Sequence, residues 1–254
     1  MFGFWPLLLL FATGLAAGFV DSIAGGGGLL TLPVFLSFGL DPRYALGTNK
    51  LQATCGSGSA AFHYAKAGVV AWSDCVRGFL LTIVGAALGT VAVQSIQPDV
   101  LKRMLPVLLL AVGIYVLVKP DLGTRDHPAR MERSRFDLIF GLALGFYDGF
   151  LGPGTGTFWT MAFVLMLGFN LTRATAYTKV MNLASNLASL VFFLIAGKIY
   201  FVAGAAMGLG QILGARLGSG LVIRSGTRLI RPIFLSMVLL LILKLLFDSW
   251  RRTA

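Results

Sequence analysis

The sequence predicts an all-α, polytopic transmembrane bundle made of two internal repeats, each holding one short broken or re-entrant helix. Three observations carry that prediction. Apolar blocks recur along nearly all of the 254 residues, of which 57% are hydrophobic and only 12% charged, with a mean hydropathy of +0.84. Soluble chains carry about 25% charged residues, and a chain of this size has too little polar surface to hide so many all-apolar helices. Next, a carboxylate followed by glycines, Gly18-Phe-Val-Asp21 and then Gly25 to Gly28, interrupts the first apolar block. Finally, the same device returns downstream as Gly145-Phe-Tyr-Asp148 followed by Gly152-Pro-Gly-Thr-Gly156.

The elements follow from hydropathy and breakers. Phe4 to Phe19 forms the first apolar helix, ending near Asp21, and Leu29 to Phe38 is a segment too short to span a bilayer that needs about 20 helical residues. Leu40-Asp-Pro-Arg43 is a turn suited to a helix start, and Tyr44 to Ala65 follows it, ending at Lys66-Ala-Gly68. Its first half, Gly47 to Thr54, is polar for a lipid-facing surface. Gly56, Gly58, Ser59, Ala60 and Ala61 then make a small-residue face for close helix contact. Ser73 to Ile96 is a long span with Gly78, Gly85 and Gly89, and after Pro98-Asp99 the chain returns across the membrane over Val100 to Val118.

Residues 1–118 therefore form a first membrane repeat, 119–135 a hydrophilic linker placed in the cytoplasm by its arginines, and 136–254 a second repeat. The second repeat comprises Phe136 to Phe150, the short Thr157 to Leu167, Thr172 to Ala196, Ile199 to Ile223, a basic turn at Arg224, Arg228 and Arg231, and Ile230 to Phe247. Beyond the Asp and Gly matches, Gly47-Thr-Asn-Lys50 aligns with Ala176-Tyr-Thr-Lys179, and Gly85-Ala-Ala-Leu-Gly89 with Gly214-Ala-Arg-Leu-Gly218. Five apolar segments per half make the repeats inverted, with the N-terminus outside. Lys102-Arg103 and Arg251-Arg252 then fall outside, against the positive-inside rule. Re-entrant short segments would instead leave four spans per half and parallel repeats.

The net charge of +11 is dispersed between apolar blocks, which fits membrane lipids and the positive-inside rule rather than nucleic acid. Cys55 and Cys75 stand in apolar or small-residue surroundings and read as packing residues. Two histidines without clustered cysteines make no metal site. No nucleophile–base–orienter set marks an enzyme, and neither glycine run matches a dinucleotide or Walker motif, so no cofactor is expected.

Function concentrates on paired residues. Asp21 and Asp148 either serve a central role, such as carrying a coupling proton, or cap the helix that follows. Gly25, Gly26, Gly27 and Gly28, like Gly152, Gly154 and Gly156, free backbone N–H groups at the starts of the short helices, where anions are favoured. Thr31, Thr155 and Thr157 add hydroxyls. Lys50 and Lys179 sit a few residues into their helices beside Asn49, Gln52 and Asn182. They contact a ligand or gate, reach headgroups, or pair with the aspartates. Gln211, Arg216 and His63 are weaker candidates.

At these residues the chain resembles the sulfite exporter TauE/SafE family, through Asp21-Ser-Ile-Ala-Gly-Gly-Gly-Gly-Leu-Leu-Thr-Leu-Pro33 and Ala45-Leu-Gly-Thr-Asn-Lys-Leu-Gln52. The likeness extends to the second copy, Asp148-Gly-Phe-Leu-Gly-Pro-Gly-Thr-Gly156 and Thr178-Lys-Val-Met-Asn182, and covers essentially the whole chain. It implies a multi-pass transporter of the cell membrane (the inner one where there are two). It implies more loosely a sulfur oxyanion such as sulfite or an organosulfonate. Alternating access of a small anion between the repeats is the expected mechanism. An anion channel and a non-transporting membrane assembly protein are the alternatives. Substrate, direction, coupling ion and oligomeric state are not encoded in any motif here.

Overall fold

A computed structural model describes residues 3–101, 103–104, 107 and 125–226. The expected spans Val100 to Val118 and Ile230 to Phe247, the first part of the 119–135 linker, and the arginines at 228, 231, 251 and 252 lie mostly or wholly outside the described residues.

The described residues form helices joined by short turns. α1 is Phe4–Ala24, α2 Gly27–Ser37 and α3 Pro42–Lys66. A 3-10 turn, Trp72–Cys75, leads into α4, Val76–Gln94. α5 is Arg133–Phe150, α6 Thr155–Leu167, α7 Leu171–Ile195 and α8 Phe201–Ser225. Most boundaries shift from expectation, and three of the shifts bear on the centre or the linker. α1 runs through Asp21 to Ala24, so the aspartate lies in the last helical turn rather than after it. α2 begins at Gly27 because Gly26 takes a left-handed conformation (φ 99°) and ends the break there. α5 starts at Arg133, so the last residues assigned to the linker are helical.

α1, α7, α8 and the segment Trp72–Gln94 are long and apolar enough to cross a membrane. The chain is an all-α, multi-pass membrane protein. α2 and α6 have 11 and 13 residues, which at 1.5 Å per residue cannot cross a hydrocarbon core about 30 Å thick. α3 is long but polar. Its Thr48, Asn49, Lys50, Gln52 and Ser57 are all buried, so other helices shield it from lipid. Asp41 starts it by accepting from the Arg43 amide at 2.9 Å, with Pro42 in the first turn. Asn170 does the same for α7, accepting from the Arg173 amide at 2.9 Å.

The outward faces follow the solvent. On α4, Leu80, Val84, Leu88 and Val91 recur at helical spacing and are exposed, while Gly78, Thr82, Gly85, Ala86, Gly89 and Thr90 are buried. Large apolar side chains face lipid and small ones face protein, the arrangement a bilayer favours because tails repay no burial of leucine.

Packing joins the two halves. α1 lies along α8 and α4 along α5, while α3 packs on α7 and α8, and α7 on α4. Exchanging α1–α4 with α5–α8 maps these main contacts onto one another. Glycines set both outer contacts. A Cβ on Gly214 would strike the Leu15 carbonyl, and one on Gly210 the Phe11 carbonyl. On the other side, a Cβ on Gly85 would strike the Leu142 carbonyl, and one on Gly89 the Phe146 carbonyl. Backbones therefore touch at both places, and the described helices of the two halves interleave.

Candidate functional site

Each break places a short helix with its N-terminus at the protein centre. At the first, Gly25 (φ 79°) and Gly26 (φ 99°) turn the chain. At the second, Gly152 (φ 92°) and Gly154 (φ 80°) do so. The two loops meet: a Cβ on Gly25 would lie 2.7 Å from the Gly156 carbonyl carbon and 2.8 Å from the Thr157 nitrogen. Only glycine satisfies both the left-handed backbone and that approach.

Charges pair across the halves. Lys179 Nζ lies 2.9 Å from Asp21 Oδ2, and Lys50 Nζ lies 2.7 Å from Asp148 Oδ1. Both lysines are almost wholly buried, at 0% and 1% exposure, so neither reaches a headgroup. Of the three readings of the lysines, ion pairing with the aspartates is the one this geometry displays. The two aspartates differ. Asp21 also accepts from the Gly27 amide at 2.9 Å, so it caps α2, and its side chain is 19% exposed. Asp148 is buried and accepts from Ser185 Oγ, while its backbone carbonyl takes a second bond from Lys50.

Beside these pairs lies a narrow cleft with about 40 Å³ of accessible space. It is lined by Asp21, Gly26, Gly27, Gly28, Asn49 and Gln52, and across from them by Asp148, Gly152, Gly154, Thr155, Gly156 and Asn182. Gly25, Thr31, Lys50, Thr157 and Lys179 are not part of this lining. Ala53, Asn186 and Gln211 complete it. Gln211 is 3% exposed and fills the space opposite Gly18 and Gly56, where a Cβ on either glycine would strike it. An amide in the middle of a glycine-rich apolar helix was the available signal for it.

The first half supplies a bonded triad. Thr31 Oγ1 donates to Asn49 Oδ1 at 2.6 Å, and Gln52 Nε2 donates to the same oxygen at 2.7 Å. In the second half Thr160 and Thr178 share a hydrogen bond of 3.1 Å, and Met181 takes the place of the glutamine. The halves thus line the cleft unequally. Among the described residues, Gln52 Oε1, Asn182 Oδ1 and Thr157 Oγ1 are buried without a partner, and no protein group takes the amides of Gly28 and Gly156. No described group of three or more His, Cys, Asp or Glu could hold a metal. Cys55 and Cys75 are free thiols.

A membrane bundle with a paired, glycine-broken centre has relatives. The family model described as "Sulfite exporter TauE/SafE" matches residues 10–245. The chain belongs to the TauE/SafE family. Similar family members include a "Probable membrane transporter protein YfcA" of Escherichia coli (strain K12), 47% identical over 96% of this chain and 91% of that protein. A "Probable membrane transporter protein" of Haemophilus influenzae is 46% identical over 96% and 95%. A more distant "Probable membrane transporter protein YjnA" of Bacillus subtilis is 24% identical over 92% and 97%. No solved structure matches. Membership in TauE/SafE makes the chain a membrane transporter rather than an enzyme.

Proposed function

We propose that the chain is a secondary transporter of a small oxyanion, working by alternating access. The observation that carries the reading is the convergence of two half-helix N-termini on one cleft lined by buried amides. Unsatisfied N–H groups and the positive end of each helix dipole favour negative charge, and discontinuous helices meeting between repeats are the usual seat of a transporter's site. Asn49, Gln52, Asn182, Asn186 and Gln211 supply further dipoles. Lys50 and Lys179 balance Asp148 and Asp21 so that the lining carries no uncompensated carboxylate.

The symmetric helix contacts and the crossed Asp–Lys pairs support two repeats of inverted topology. Rocking of one repeat against the other, along the glycine-lined contacts, would expose the cleft to alternate sides. Asp148 or Asp21 is the place for a coupling proton, because each sits between the cleft and a lysine. Sulfite is the first substrate to try, since the family model's description names it. The test is uptake and counterflow in proteoliposomes with sulfite, thiosulfate, sulfonates and carboxylates. Saturable flux with counterflow is expected. Flux that neither saturates nor counterflows identifies a channel, and no anion flux from folded protein refutes the reading.

A further inference from the structure

We infer that the cleft selects an oxyanion that still carries one proton, a hydrogen-oxyanion of single charge, over one that is fully deprotonated. This rests on the anion reading above and names the ligand class of that site. The evidence is the hydrogen-bond logic of Thr31, Asn49 and Gln52. Asn49 Oδ1 accepts from both Thr31 and Gln52, which leaves Gln52 Oε1 buried, unpartnered and belonging to a residue that lines the cleft. Gln52 is 0% exposed.

Side-chain amides are assigned by their bonding, so the reversed arrangement has to be considered. Turning Gln52 alone would set its oxygen against Asn49 Oδ1 across 2.7 Å. Turning Asn49 alone would set two NH2 groups together. Only turning both restores the bonds. Asn49 Nδ2 then donates to Gln52 Oε1 and Thr31, and Thr31 donates to the Gly27 carbonyl, 3.2 Å away. In that arrangement Asn49 carries the spare oxygen. In either state this pair, whose residues line the cleft, carries one spare NH2 group and one spare carbonyl oxygen.

A site for a fully deprotonated oxyanion wants donors alone, because each facing acceptor places two lone pairs against each other. An acceptor fixed among donors wants a ligand that has a hydrogen to give. Here the donors are the Gly28 and Gly156 amides and an NH2 group of the pair, and the fixed acceptor is the other member's carbonyl. A singly protonated oxyanion meets both requirements: its bare oxygens take the amides and its O–H meets the carbonyl.

The experiment compares two near-isosteric monoanions, methylphosphonate and methanesulfonate, at mildly acidic pH. The first carries a P–OH where the second has only S–O. Half-maximal thermal stabilisation of the full chain in detergent is measured for each. Methylphosphonate is expected to act at a concentration at least about tenfold lower, the scale of one buried acceptor left unpaired. Equal potency, or the reverse order, overturns this inference and leaves the anion reading standing. Stabilisation by neither of them, nor by sulfite or sulfate, overturns both. In Gln52→Met the preference is expected to fall towards parity, and its persistence in folded protein would also refute the assignment. The wild-type comparison decides the matter even if that variant does not fold.

Discussion

Replacing Lys50 by methionine removes the cation from the more deeply buried of the two ion pairs. Lys50 makes two bonds to Asp148, 2.7 Å to the carboxylate and 2.5 Å to the backbone carbonyl. Asp148 is 4% exposed and would keep only its Ser185 bond. Leaving one buried charge without its partner costs about 3–5 kcal/mol. The pseudo-equivalent Lys179→Met is milder: it breaks one bond of 2.9 Å, and Asp21 retains the Gly27 amide and is 19% exposed at its side chain. Partial solvation cuts that loss to about 1–2 kcal/mol. Denaturation of the purified protein in detergent, followed by tryptophan fluorescence, measures both. The double variant Lys50→Met/Asp148→Leu should recover most of the first loss, since a pair replaced by apolar groups leaves no orphan. A Lys179→Met variant as damaging as Lys50→Met, or no recovery in the double variant, would show that the asymmetry between the pairs is misread.

Other outcomes test other parts of the centre. Gly25→Ala should abolish flux and lower the yield of folded protein, because it strains a φ of 79° and drives a methyl into the Gly156–Thr157 backbone; normal flux and yield would refute the loop contact. Gly214→Leu should separate α1 from α8 and Gly89→Leu should separate α4 from α5, each scored as loss of monodisperse protein in gel filtration. Gln211→Leu should fold normally yet weaken half-saturation by about five- to tenfold, since it removes one lining amide and little packing volume. In Asp148→Asn, flux should stop responding to an imposed pH gradient; an unchanged response removes this residue from the proton path.

The composition and the doubled Asp–Gly motif were enough for an all-α membrane bundle and for two short helices behind two glycine breaks. They were legible because bilayer thickness and helix geometry act on local sequence. Boundaries were less so: the helical hydrogen bonds of α1 carry it through Asp21, beyond the point at which hydropathy falls. The cleft was half legible. Asn49, Gln52 and Asn182 could be named from their place beside the lysines, whereas Gln211, only a weaker candidate in the sequence, gains its place in the lining when α8 lays it against Gly18 and Gly56.

By itself, then, the sequence determined what must leave water, where helices must break, and which polar residues are too costly in lipid to be incidental. Only the tertiary structure decided who meets whom. It set Lys179 on Asp21 and Lys50 on Asp148, across separations of 158 and 98 residues, and it brought Gly25 against Gly156. Those partnerships depend on how α1, α3, α5 and α7 pack around one centre, and no local pattern reports a contact that packing alone creates. The glycine stretch behind Asp21 thereby lines one side of a cleft whose other side comes from residues more than a hundred positions away.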